Sequence, residues 1–133
     1  MGDKIKPIDG ISVDGGTIGN PGECFYRAVD LDTGEILFEE NLGMGTNNIA
    51  EFLAIVHAIH FSIKNNIDKE IYTDSKTAMA WVRNKRANTT FTGKVNTRLE
   101  KASNYLKTLS NIPKIVKWET KVWGEIPADF GRK

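Results

Sequence analysis

The chain has 133 residues, 40% of them hydrophobic and 26% charged, with a formal net charge of +1. That suits one soluble globular domain with a core of its own, expected to span 1–133, and excludes a disordered or fibrous chain. A single cysteine, Cys24, excludes a disulfide framework and fits a reducing compartment. No apolar run spans a membrane and Met1 to Asp9 lacks a signal-peptide core, so a cytoplasmic, monomeric protein is expected.

The charge is unevenly spread. Residues 1–60 hold three Lys/Arg against ten Asp/Glu, and eight basic residues from Lys76 to Lys107 are opposed only by Glu100. A solvated helical face and a phosphate-tracking patch both fit that run.

Residues 8–14 read as a first strand with Ile8, Ile11 and Val13 as its apolar positions. Gly15-Gly16 and Gly19-Asn20-Pro21-Gly22 read as turns. Residues 23–31 form a second strand, Asp32-Thr33-Gly34 a tight turn, and 35–42 a third strand, together an antiparallel meander. Apolar residues at Ile49, Phe52, Leu53, Val56, Ile59 and Ile63 predict a helix from about Asn47 to Asn65, opened by Thr46-Asn47-Asn48. A short strand, 69–73, follows a helical crossover and so is expected to pair in parallel. A second helix runs from Lys76 to about Asn84, Ala87–Phe91 is a loop, a polar helix covers roughly Val95–Leu109, and 115–119 is the last strand. The tail from Trp123 has room for a short helix only. The outcome is an α/β fold with a mixed five-stranded sheet.

Four acids lie at expected strand ends and helix starts, where sites in such sheets collect. Asp14 ends the first strand, where Asp-Gly is also ordinary turn chemistry. Glu51 follows Asn48 by three, which also reads as a capping box. Asp74 precedes a helix, as an N-cap would, and Asp129 fits a solvated loop. Taken together they can converge. Carboxylates that meet without basic partners repel one another, and hard divalent cations such as Mg²⁺ or Mn²⁺ relieve that repulsion. His57 and His60, both in the first long helix, read as packing rather than as ligands.

The sequence resembles type 1 ribonuclease H. The resemblance rests on Val13-Asp14-Gly15-Gly16, Gly19-Asn20-Pro21-Gly22, Thr46-Asn47-Asn48-x-x-Glu51, Thr73-Asp74-Ser75 and Trp123-Gly124-Glu125-x-x-x-Asp129, in family order over nearly the whole chain. The ending is similar to that of the compact bacterial branch, without its hybrid-binding domain. The resemblance implies a ribonuclease H-like sheet in the order 3-2-1-4-5 with the second strand antiparallel, and endonucleolytic hydrolysis of the RNA strand of RNA–DNA hybrids to 5′-phosphate and 3′-hydroxyl ends. It implies two Mg²⁺ ions, with Mn²⁺ able to substitute, about 4 Å apart across the scissile phosphate. Asp14 would bridge both, Asp129 would hold the one beside the attacking water, and Glu51 and Asp74 the one beside the leaving oxygen. Glu125, one helical turn before Asp129, would be an accessory acid.

For the substrate, the resemblance puts Gly19, Asn47 and Asn48 at the RNA 2′-hydroxyls. It puts Thr46, Asn48, Thr89 and Thr90 around a DNA phosphate and Trp81 against deoxyribose, while a core position for Trp81 and a plain polar loop for Thr89-Thr90 are the competing readings. Lys76 departs from the Gln that relatives often carry, leaving its role open between phosphate contact and an influence on nearby carboxylates. Arg132 and Lys133 lie near phosphate or in a loose terminus. Another nuclease of the same architecture, resolvase- or transposase-like, and a hybrid-binding module without catalysis are the competing readings.

Overall fold

The computed structural model describes residues 5–129. Strands β1 (Ile11–Gly19), β2 (Gly22–Asp30) and β3 (Ile36–Gly45) precede helix α1 (Asn47–Lys64). Strand β4 (Ile71–Thr73), helices α2 (Lys76–Asn84) and α3 (Asn96–Thr108), strand β5 (Ile115–Lys117) and a single turn, α4 (Thr120–Trp123), follow. The sheet order is β3-β2-β1-β4-β5; β2 is antiparallel to both neighbours, and β4 runs parallel to β1 and β5. Fold and strand order are those expected from the sequence.

The boundaries carry one correction that matters. Asp14 does not end β1 but sits in its middle, and Gly15-Gly16 is strand rather than turn. The reason lies in β2, which pairs with β1 over its whole length, Ile11↔Asp30 through Gly19↔Gly22, so the reversal comes only after Gly19. Gly19 has φ +84, a left-handed conformation that suits glycine at such a reversal. By contrast β1 pairs with β4 only at Ile11↔Ile71 and Ser12↔Tyr72. Beyond those residues the two strands part like a fork.

Helix α1 lies across one face of the sheet. Thr46 is its N-cap, the Thr46 hydroxyl accepting the Ile49 N–H at 3.2 Å. Its buried residues go most of the way round the helix because the sheet covers one side and α2 and α3 the other. Phe52, Ile55 and Ile59 are fully buried, each such side chain stabilising by roughly 1.5–3 kcal/mol. Ser75 caps α2 by accepting from Ala78 N at 3.0 Å, and Lys85 closes that helix at φ 58. In α3, Leu99, Ala102 and Leu106 face the core at helical spacing. The opposite face of the sheet carries a smaller cluster of Tyr72, Trp118 and Ile126, with Trp118 Nε1 donating to Gly124 O at 2.8 Å. Among the described residues no helix is long and apolar enough to cross a membrane.

Candidate active site

Alternation along β1 sends Ile11, Val13 and Gly15 toward α1 and Ser12 and Asp14 to the other face. The parallel register with β4, carried two residues past its last pair, sets Asp14 beside Asp74 at the fork. Glu51 comes from the second turn of α1. The three carboxylates each offer an oxygen such that all lie within 4.8 Å of one another. Asp14 is fully buried and Glu51 3% exposed, while Asp74 is half-buried at the rim.

Gly15 makes this meeting possible. A Cβ on Gly15 would lie 2.7–2.8 Å from the Ala50 carbonyl carbon, the Ala50 Cβ and the Glu51 nitrogen. Bare backbone therefore lets α1 approach β1 at van der Waals contact. The Gly15 N–H then donates to Glu51 Oε1 at 2.9 Å. Glu51 is thus tied to the strand, and capping of α1 falls to Thr46. Asp74 is likewise not the cap of α2, since Ser75 holds that position.

Asp129 stands outside the trio of mutually close oxygens. Its backbone is held on the same side of the sheet by Arg27, the register partner of Asp14 on β2. Residues directly opposite on antiparallel strands share a face. Arg27 donates from Nε to Ala128 O at 2.8 Å and from Nη2 to Asp129 O at 2.6 Å, and its Nη1 lies 3.5 Å from Glu39. Segment 124–129 consists of bends and turns, with Asp129 N donating to Ile126 O, so Glu125 is not one helical turn from Asp129. Glu125 is exposed. The short helix expected in the tail from Trp123 onward is not found among the described residues: the single turn α4 ends at Trp123 and 124–129 holds no helix. Arg132 and Lys133 lie outside the described residues.

The donor set is all carboxylate oxygen, which suits a hard divalent cation of the Mg²⁺ kind. A second acidic group, Asp9, Asp30 and Asp32, differs in kind. Lys69 already bridges Asp9 at 2.9 Å and Asp30 at 3.1 Å.

A family model described as RNase H matches residues 10–124. The chain belongs to the RNase H family. This RNase H is similar to RNase H1 of the halophilic archaeon Halobacterium salinarum, 21% identical over 83% of each chain with a TM-score of 0.53. It is also similar to LC11-RNase H1, isolated from compost by a metagenomic approach, at 26% identity, 82% of this chain, 81% of that chain and a TM-score of 0.50. A structure of LC11-RNase H1 in complex with an RNA/DNA hybrid matches at 22% identity over 81% of each chain, with a TM-score of 0.51.

Around the acids of this RNase H, the expected substrate residues divide. Gly19 and Asn47 line one cleft with Thr17 and Asn20, and Asn20 Oδ1 accepts the Asn47 N–H at 3.0 Å, joining the β1–β2 turn to the start of α1. Asn48 is exposed on the first turn of α1, and Thr46 spends its hydroxyl on the cap. Thr89 accepts from Phe91 N at 3.1 Å within its loop, and Thr90 is exposed there. Lys76 opens α2, exposed. Trp81 is a correction: it is 7% exposed, packed edge-on to Phe52 at 5.7 Å between ring centres. Its ring is part of the core cluster.

His57 and His60 pack, as their place in α1 suggested. His57 stacks on Phe38 at 3.7 Å and its Nδ1 lies 2.7 Å from the Tyr26 hydroxyl; His60 Nδ1 lies 3.3 Å from Tyr105. Three site residues escaped the sequence reading: Gly15 as a contact glycine, Asn20 as the clasp on Asn47, and Arg27. Arg27 was within reach, because counting outward from the Gly19–Gly22 turn pairs the one arginine of β2 with Asp14.

Proposed function

We propose that this RNase H hydrolyses the RNA strand of RNA–DNA hybrids endonucleolytically, leaving 5′-phosphate and 3′-hydroxyl ends, and that it acts as a member of the compact bacterial branch of the type 1 enzymes, residues 1–133 forming a catalytic domain. The observation that carries this reading is the convergence of Asp14, Glu51 and Asp74 within 4.8 Å. Those three, with Asp129, would hold a pair of Mg²⁺ ions, Mn²⁺ being able to replace them. Such ions, when bound, lower the pKa of water and neutralise charge on the phosphoryl oxygens.

The residues of the chain supply positioning. Gly15 fixes one oxygen of Glu51 by its N–H. Arg27 fixes the backbone of Ala128 and Asp129 and so sets where the last acid emerges. Exposed Glu125 lies where it can exchange protons or cations with solvent as product leaves. The cleft of Gly19 and Asn47 offers donors and acceptors for 2′-hydroxyls, which distinguish RNA from DNA. Asn48, Thr46, Thr89 and Thr90 are the neutral polar groups available to a DNA phosphate. Contacts to backbone and sugar make cutting tolerant of base sequence. The structure of a related RNase H1 with an RNA/DNA hybrid supports the same substrate class.

The test is cleavage of end-labelled RNA–DNA hybrid, double-stranded RNA and double-stranded DNA, in Mg²⁺ and in chelator. Only the hybrid should be cut, in its RNA strand, and only with metal. Asp14→Asn should still bind hybrid and cut at least about a hundredfold more slowly, the scale of a few kcal/mol of lost transition-state stabilisation. Equal cutting of duplex DNA would favour a resolvase-like enzyme, and tight binding of hybrid without cleavage a binding module.

A further inference from the structure

Beside the acids lies a cleft of about 460 Å³ lined by Lys76, Lys117, Glu119, Thr120 and Lys121. The sheet sets it there. Lys117 of β5 pairs with Thr73 of β4, the residue before Asp74, and Lys76 opens α2 two residues after Asp74. Lys121 reaches the same cleft from α4. Lys117 is half-buried and pre-placed: its Nζ donates to Trp118 O at 2.9 Å, leaving its remaining hydrogens for a ligand. Among the described residues Lys76 and Lys121 form no ion pair. Three ammonium groups against the single carboxylate of Glu119 leave the cleft positive, directly beside a site that is negative.

We infer that this cleft is a phosphate subsite for the RNA strand, taking a phosphodiester one or two nucleotides from the one that is cut. The inference rests on the hydrolase reading above and adds to it a second point of attachment on the same strand. An RNA strand crossing Asp74 leaves the negative pocket and meets these lysines first. Lysine binds phosphate as a point charge with rotatable donors, so the subsite reads charge and not base. It also answers the open role of Lys76: its position in the cleft directs the ammonium to strand phosphate, together with Lys121 and Lys117.

The experiment uses the full chain and a hybrid with one mapped cleavage site. Each RNA-strand linkage within three of the cut is made a neutral methylphosphonate, one per substrate. A 2′-deoxy phosphodiester at the same nucleotide serves as the control. Wild type should lose about five- to tenfold in kcat/KM at one or two adjacent linkages, the scale of a charge-assisted contact. A Lys76→Ala/Lys121→Ala variant should be slower on the unmodified hybrid and lose less than about twofold at those same linkages. Lys76→Arg/Lys121→Arg should restore the position-dependent loss, which separates charge from folding. Identical profiles for wild type and the alanine variant, or a flat profile for wild type, overturn the subsite while leaving the hydrolase reading intact. A wild-type chain that fails to cut unmodified hybrid overturns both.

Discussion

Gly15→Ala is the most informative single change. The added methyl would sit 2.7–2.8 Å from three backbone and side-chain atoms of Ala50 and Glu51. Real carbon contacts of that kind need about 3.5 Å or more, so α1 must retreat from β1 by roughly 0.7 Å or more. None of the colliding atoms is the end of a flexible chain; two belong to the backbone of α1. Overpacking of this sort costs about 1–3 kcal/mol, a fall in Tm of roughly 4–12 °C for a domain of this size. The same retreat strains the 2.9 Å bond from Gly15 N–H to Glu51 and moves that carboxylate away from Asp14. A displacement approaching 1 Å at a reacting centre costs up to about a hundredfold in rate. Thermal melting followed by circular dichroism gives the first quantity. Single-turnover cleavage of hybrid in saturating Mg²⁺, well below the melting range, gives the second. A variant that melts lower but cuts at the wild-type rate would refute the positioning role of Gly15. One that matches wild type in both would refute the contact itself.

Three further outcomes follow from other contacts. Trp81→Ala should cost about 3–5 kcal/mol of stability in urea unfolding, as a core aromatic does. Trp81→Phe should keep its hybrid affinity; a tenfold weaker Kd, the scale of a lost stacking platform, would return Trp81 to the interface. Arg27→Gln removes two charge-assisted hydrogen bonds to the 128–129 backbone. It should lower kcat about tenfold or more with little change in KM and speed proteolytic clipping beyond residue 124; an unchanged kcat would remove Arg27 from the account. Burial holds the His57 imidazole below its ordinary value of 6.5. Below pH 6.5 the unfolded chain therefore takes up a proton that the folded chain resists, so stability is full above that pH and falls as the pH drops through it. His57→Gln should flatten that part of the Tm–pH curve, and an unchanged slope between about pH 5 and 7 would count against the burial argument.

Most elements were legible because each had a local cause: alternating strands, a period near 3.6 in α1, caps at Thr46 and Ser75; the strand order came with the resemblance to ribonuclease H. The acids were legible as a set, through their places along the chain. What was hidden was tertiary. Gly15-Gly16 looks like a turn in any window, and only β2 running alongside keeps it extended. Trp81 sits on a nine-residue helix among basic neighbours, and nothing local shows that Phe52 waits beneath it. The capping explanations for Glu51 and Asp74 were locally sound, yet neighbouring residues take both caps. Arg27 carried no local signal at all and needed strand register.

The parting of β1 from β4 after two paired residues carries an evolutionary consequence. A longer ladder there would add backbone hydrogen bonds across the middle of the sheet and make the domain sturdier. It would also draw the strands together where Asp14 and Asp74 now stand apart enough to admit something between them. Robustness and chemistry thus compete for the same few residues, and mutations selected only for heat resistance should collect everywhere except along this seam.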